Sequence, residues 1–319
     1  MEATLAVLGP TATGKTALAL ELGERLDAEI VSLDSRQAYR GLVIGTAAPT
    51  PEELQRVPHH GVGTLAPGTR YGAGRFARQA RDWISEIRRR GRLPLLVGGT
   101  GLFYRALTRP IFREPPMDPD RRAALEAWLE ERPLGTLRRW TATLDPALRE
   151  RLDVLDRQRC LRAIEMALMT GRPISWWQRH GPPEAEPVES LPIVLTLPGE
   201  EHRRRIRERA ARALSSGWAD EVRALRAAGH DRDSPAFSSI GYEAVAAWMA
   251  GEVSREEALS RIVRDTWSYA RRQRTWFRHQ LPDHALRLDG RRPVDELADR
   301  VVEARAAWNT NGGGEGTSA

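Results

Sequence analysis

The residues with the most definite chemistry are Gly9, Pro10, Thr11, Ala12, Thr13, Gly14, Lys15 and Thr16. A glycine-bounded turn that ends in Lys-Thr and opens a helix is a phosphate cradle. Its backbone N–H groups turn inward and the helix N-terminus adds positive potential, so a diphosphate fits there. Lys15 would reach the phosphate oxygens, and the Thr16 hydroxyl would ligate Mg²⁺. Lys15 is also the chain's single lysine; every other cation among its 49 Lys plus Arg is arginine. A compact ammonium is kept where a planar guanidinium would not serve as the same point charge. The second group is Asp34, followed by Ser35, Arg36 and Gln37. Its carboxylate could be a base or hydrogen-bond acceptor beside the loop, a helix N-cap, or a Walker-type Mg²⁺ ligand.

These groups need a sheet to hold them. The apolar run at 5–8 reads as a buried strand and the run at 17–22 as the helix after the loop. A strand at 29–33 delivers Asp34 to the carboxyl edge of a parallel sheet, where ligands bind. A strand at 93–97 runs into Gly98, Gly99, Thr100 and Gly101. A motor ATPase would usually carry an acidic Mg²⁺ ligand there. Glycines argue against that function and favour a second backbone-lined ligand loop. A strand at 192–197 returns to the sheet, and the helix after it sets Arg205, Arg209 and Arg212 on one face, suited to phosphates.

Between the strands, prolines mark residues 45–74 as largely loop, with His59 and His60 packed inside it rather than holding a metal. Helical spacing follows over 74–90. Residues 115–189 carry helical patterns and no convincing strand, with helices at 118–130 and 156–169. Arg157, Arg159 and Arg162 give the second of these a basic side, either a phosphate contact or a solvated face. Ser254 opens a capping box and a helix that runs to about residue 280. Its stretch 269–278 interleaves arginines with aromatics and Gln273, which suits either stacked RNA bases or an amphipathic helix with aromatics in the core. The expected class is α/β, a P-loop NTPase-like parallel sheet core with a mostly helical insertion. The expected divisions are 1–114 and 190–282 for the core, 115–189 for the insertion, and 283–319 for an extension whose last residues, 309–319, are disordered.

A length of 319 residues allows ample core. A net charge of +6 and a pI near 10.1 point mildly to a polyanionic partner, although the arginine bias could be a genomic habit. The lone Cys160 excludes a disulfide framework and a cysteine-based zinc site. No leader and no membrane-length apolar run is evident, so a cytoplasmic protein is expected.

Several motifs stand in order: the loop at 9–16; 34–41 with Ile44, Gly45 and Thr46; 96–102; Asp156 with 159–165; Ile240, Gly241, Tyr242 and Glu243; and 272–278. Together they closely resemble the bacterial tRNA dimethylallyltransferases, over about residues 4–280. The resemblance implies a P-loop fold that is not an NTPase. Its loop would hold the diphosphate of dimethylallyl diphosphate, with Mg²⁺ on Thr16. The dimethylallyl group would go to N6 of adenine 37 in tRNAs reading codons that begin with U. It further implies catalytic roles for Asp34, as general base, and for Thr13 and Arg209. The tRNA anticodon stem-loop would be held by Asp34, Ser35, Arg36, Gln37, Thr100, Arg122, Gln158, Arg159, Cys160, Leu161, Arg162, Arg272, Gln273 and Arg274. The enzyme is expected to be a monomer without membrane attachment. Departures are small: Thr13 replaces a Ser, Ala48 a frequent Lys, Phe103 a common Tyr and Trp267 a frequent Arg. The rival readings are a small-molecule P-loop kinase, a non-enzymatic RNA-binding protein and a free-adenylate isopentenyltransferase.

Overall fold

A computed structural model of the chain describes residues 4–109, 111–232 and 234–310. The chain divides into two compact units, one built up to Thr108 and again from Val188, the other from Arg109–Pro187. In the first unit β1 (Thr4–Leu8), α1 (Lys15–Arg25), β2 (Ala28–Ser32), α2 (Pro51–Arg56), β3 (His59–His60), α3 (Ala73–Arg89), β4 (Leu93–Gly98) and α4 (Gly101–Thr108) follow one another. The second unit holds α5 (Pro119–Glu130), α6 (Leu134–Leu144), a 3-10 helix (Pro146–Val154), α7 (Arg157–Thr170) and α8 (Ile174–His180). The chain then returns through β5 (Ser190–Thr196), α9 (Gly199–Ser215), α10 (Trp218–Ala227), α11 (Tyr242–Met249), α12 (Arg255–Gln280), β6 (Leu286–Asp289) and α13 (Val294–Thr310).

The six strands form one all-parallel sheet in the order β3-β2-β4-β1-β5-β6. This is the P-loop NTPase-like α/β core that the motifs call for, with β1 central and its loop at the carboxyl edge. Strands covered on both faces must be apolar on both faces, and β1 is buried at all five positions. Its side chains alternate between two cores. Leu5 and Val7 join Leu18, Leu22, Leu297 and Val301 of α1 and α13 on one face. Ala6 and Leu8 join Phe76, Ile84 and Ile87 of α3 and Phe277 of α12 on the other.

Two stretches differ from the sequence reading. The 45–74 loop contains α2 and the short edge strand β3. Thr50 starts α2 with a complete capping box, its hydroxyl accepting from Glu53 N–H at 3.2 Å while the Glu53 carboxylate accepts from Thr50 N–H at 2.8 Å. His59 and His60 pair with Ile30 and Val31 of β2, and His60 Nε2 lies 2.7 Å from the Glu29 carboxylate, so the pair packs the sheet edge. The segment after 283 is a sixth strand and a helix, because Leu288, Leu297, Ala298 and Val301 bury against the sheet. Asn309 and Thr310 belong to that helix; the rest of the expected disordered tail, 311–319, lies outside the described residues.

The second unit packs around Leu129, Leu137, Leu155, Cys160 and Ile164. Asp118 caps α5 by accepting from Asp120 and Arg121 N–H groups, and Asp156 caps α7 by accepting from Arg159 N–H at 2.9 Å. Arg157 donates to the Arg132 and Glu130 carbonyls, which closes the end of α5.

Candidate active site

β1 feeds the chain into the phosphate loop. Gly9 leaves the strand at φ 143°, and a Cβ there would lie 2.5 Å from the Leu195 carbonyl oxygen. Ala12 (φ 63°) and Gly14 (φ 98°) then turn the loop left-handed ahead of α1. Inside it the Pro10 carbonyl accepts from the Thr13 hydroxyl at 2.9 Å and from the Lys15 ammonium at 2.8 Å. Thr13, expected among the catalytic groups, is therefore buried as a closure of the loop. Thr16 is exposed at the start of α1.

Two side chains from distant helices brace the loop. Gln273 of α12 accepts from Thr11 N–H at 3.0 Å and donates to the Gly99 carbonyl at 2.8 Å, so one amide ties the phosphate loop to the glycine turn after β4. Any Cβ at Gly99 would sit 2.2 Å from that amide nitrogen. His202 of α9 is fully buried with Nε2 2.7 Å from the Thr11 carbonyl oxygen. That contact needs a proton on Nε2, which leaves the Nδ1 lone pair to accept from Arg274 at 3.1 Å. Trp267 stands edge-on to the imidazole, with Arg203 and Arg274 over its ring.

His202 is thus neutral. Burial holds its pKa below the ordinary 6.5, against the Thr11 hydrogen bond, and Arg274, Lys15 and Arg209 push the same way as burial. The unfolded chain takes up this proton near 6.5 and the folded chain only at lower pH. Stability from this group is complete above about 6.5 and declines as pH falls toward the depressed value. Thermal melts from about pH 7.5 to about pH 5 should show a falling Tm, and His202→Gln should flatten that fall. Equal slopes in both proteins would remove this role.

Asp34 follows β2. Its Oδ1 accepts from Arg36 N–H at 2.8 Å and Gln37 N–H at 3.3 Å, which closes the turn at 35–38; no helix starts here, so the carboxylate is not a helix N-cap. Oδ2 accepts no hydrogen bond among the described residues, so holding the turn and base chemistry can use different oxygens. Three groups face this carboxylate. Burial lowers the Lys15 ammonium to about 8, with Asp34 pulling it back up and Arg209 adding to the lowering. Burial lowers the Arg209 guanidinium as well, and Asp34 opposes it. Burial and the Asp34 charge raise the Tyr269 phenol to about 12.

Asp34, Arg209 and Tyr269 line a cavity of about 370 Å³. Its polar lining includes Thr11, Asp34, Ser35, Arg36, Arg209 and Arg272. Its apolar lining includes Ile44, Ala210, Trp218 and Ile262, which belong to one hydrophobic cluster and so make a continuous apolar end. A charged head and a short apolar tail would both be satisfied here.

The candidate RNA contacts separate into groups. Ser35 N–H donates to the Thr100 hydroxyl at 3.4 Å, which joins the two strand ends. Arg36 reaches the Pro235 carbonyl at 2.7 Å. Gln37 gives its amide to the Ala47 carbonyl at 2.9 Å, and Gln273 and Arg274 are engaged under the loop, so these three side chains bind protein. Arg272 remains on the outer side of α12 and lines the cavity. In the second unit, Arg122 and Arg162 share the carboxylates of Glu114 and Glu165. Gln158 and Arg159 are exposed there, whereas Leu161 packs against the unit's core. Cys160, expected at the RNA surface, is wholly buried because it faces Leu137 and Ile164, and its side chain is withdrawn from any such surface.

Sequence reasoning missed His202 and Trp218. A lone histidine on a charged helix carries no local mark, and Trp218 offers only its size. Tyr269 lay within a stretch singled out for aromatics, but its place beside Asp34 needed the fold.

A sequence profile described as IPP transferase matches residues 37–280, and one described as isopentenyl transferase matches residues 2–59. The chain is 44% identical over 272 residues to a tRNA dimethylallyltransferase of Geobacter metallireducens, covering 85% of this chain and 88% of that one. It is 40% identical over 301 residues to the tRNA dimethylallyltransferase of Maricaulis maris, covering 94% and 98%. Among solved structures, a tRNA isopentenylpyrophosphate transferase from Bacillus halodurans superposes with a TM-score of 0.69 at 31% identity, over 97% of this chain and 99% of that one. A eukaryotic dimethylallyltransferase acting on tRNA shares the fold, with a TM-score of 0.81 at 20% identity, over 98% of this chain and 80% of that one.

Proposed function

The chain belongs to the IPP transferase family, and from that premise we propose that it transfers the dimethylallyl group of dimethylallyl diphosphate to a tRNA. The acceptor is N6 of adenine 37 in the anticodon stem-loop of tRNAs reading codons that begin with U. The observation that carries this reading is the cavity, where a phosphate loop, a carboxylate and an apolar lining meet. A small-molecule kinase has no use for the apolar end, and the relatives named above are prenyl-transfer enzymes, so the kinase reading is set aside.

The diphosphate lies on the inward N–H groups of the loop, and Lys15 exchanges the Pro10 carbonyl for phosphate oxygens. The dimethylallyl tail occupies the end lined by Ile44, Trp218 and Ile262. Adenine N6 attacks the allylic carbon, the C–O bond to diphosphate breaks, and Asp34 Oδ2 takes the N6 proton. Lys15 and Arg209 stabilise the charge that grows on the leaving diphosphate. The target base must leave its stack to reach this cavity.

Mg²⁺ fits the donor set. Among the described residues no three His, Cys, Asp or Glu gather as a metal site. The exposed Thr16 hydroxyl, with phosphate and water oxygens, is the sparse oxygen set Mg²⁺ accepts. Bound there, it would neutralise phosphate charge. Arg122, Arg159 and Arg162 in the second unit, with Arg272 in the first, are the proposed phosphate contacts to tRNA. The enzyme acts as a monomer. Among the described residues no helix is long and apolar enough to cross a membrane.

The test is incubation of the purified protein with Mg²⁺, dimethylallyl diphosphate and unmodified tRNA bearing A36 and A37, read by nucleoside mass spectrometry. A dimethylallyl increment on A37 is expected. No increment on any tRNA nucleoside, with ATP turnover on a small alcohol, would return the case to a kinase.

A further inference from the structure

Glu221 lies on α10, and the chemistry above does not use it. Its carboxylate gathers four donors. Oε2 accepts from Val43 and Ile44 N–H groups, each at 2.7 Å. Oε1 accepts from Gly45 N–H at 3.1 Å and from the Tyr242 hydroxyl at 2.5 Å. Three consecutive backbone N–H groups aimed at one point form an anion nest, here filled by the chain's own carboxylate. Burial and the adjacent Glu221 charge hold the Tyr242 phenol far above its ordinary pKa, so it stays a donor.

The loop held in this way is a wall of the cavity. Ile44, Gly45 and Thr46 line it together with Trp218 from the first turn of the helix that carries Glu221. The fit is tight: a Cβ at Gly45 would lie 2.3 Å from Trp218 Nε1 and 2.6 Å from the Tyr242 hydroxyl. The loop also runs back to the reacting end. Gln37 donates its side-chain amide to the Ala47 carbonyl at 2.9 Å and its backbone N–H to Asp34 Oδ1 at 3.3 Å. The hydrogen bonds of Glu221 go to the 43–45 loop and Tyr242 and to neither the phosphate loop nor Lys15, so its influence reaches the apolar end first.

We propose that Glu221 is the positioning residue for the prenyl tail: it fixes the 43–46 wall against which the apolar part of the donor packs. The inference rests on the cavity being the dimethylallyl diphosphate site. A glutamine at 221 has the same size, but its NH₂ would turn toward at least one of the donors, and that backbone N–H would lose its acceptor. The wall would then shift while the phosphate cradle stayed intact.

The test compares two constants at saturating tRNA: KM for dimethylallyl diphosphate and the inhibition constant for inorganic diphosphate. Glu221→Gln should raise the first roughly tenfold and leave the second within about twofold of wild type. Glu221→Asp keeps the charge and should recover part of the loss. Tyr242→Phe removes one donor of the four and should move KM the same way by about threefold; it carries the test if Glu221→Gln melts early. An unchanged donor KM in both Glu221→Gln and Tyr242→Phe, or a parallel rise of both constants, would overturn the proposal. A wild-type protein that transfers no dimethylallyl group would instead overturn the reading of the cavity on which it stands.

Discussion

Asp34→Asn should slow dimethylallyl transfer by roughly 10²–10⁴-fold, the range for loss of a general base, with tRNA affinity close to wild type. The substitution is chosen for what it keeps. Asparagine's side-chain oxygen can still accept from Arg36 and Gln37 N–H groups, as Oδ1 does now. What it loses is the second oxygen's capacity to take a proton, and the negative charge that Lys15 and Arg209 face. Asp34→Ala loses the turn's hydrogen bonds as well and should melt lower by about 1 kcal/mol of stability. Single-turnover transfer and a filter-binding curve for tRNA separate the two effects. Transfer by Asp34→Asn at near the wild-type rate would reject the base assignment.

Lys15→Arg should cost nearly as much as Lys15→Ala, about 10²–10³-fold in transfer. Charge is kept in the first and removed in the second. The similarity is expected because the ammonium sits within a turn whose Pro10 carbonyl already takes it at 2.8 Å. A guanidinium is wider, planar and fixed in its donor directions. The wild-type enzyme should also show a pH effect. Its free ammonium has been lowered to about 8. Above about 8 the diphosphate must bind with uptake of a proton, so donor KM should rise with pH there. The arginine variant should lack that rise. An arginine variant as active as wild type would show that only charge is needed.

The phosphate loop is legible from sequence because its chemistry is local. Eight consecutive residues set the backbone turns, and the flanking strand and helix are read from their own apolar runs. Asp34 is legible for a related reason, since a strand end in a parallel sheet has a known address. The helix at 255–280 is legible in extent but was harder to orient. Thr266, Ala270, Gln273 and Phe277 recur at helical spacing and are the buried stripe, so Gln273 turns inward although arginines flank it. His202 and Glu221 were illegible. Their partners, Thr11 and Val43–Gly45, lie more than 170 positions away, and no spacing on α9 or α10 announces them. The last strand and helix carry little local signal, because β6 spans only four residues and α13 follows a polar stretch.

In the proposed reaction the Gln273 bridge fixes how the two substrates are spaced. An α-helix does not stretch, and α12 runs 26 residues, about 39 Å. One of its residues grips the phosphate loop and the residue before it, Arg272, stands on the outer side among Ser268 and Trp276. Consecutive helical residues point about 100° apart, so on the proposed reading one rod fixes the angle between the grip on the donor's loop and the candidate RNA contact at Arg272. A one-residue insertion between Arg272 and Gln273 would rotate the two grips by a further 100° or so and put them out of phase, leaving each substrate held and neither within reach of the other.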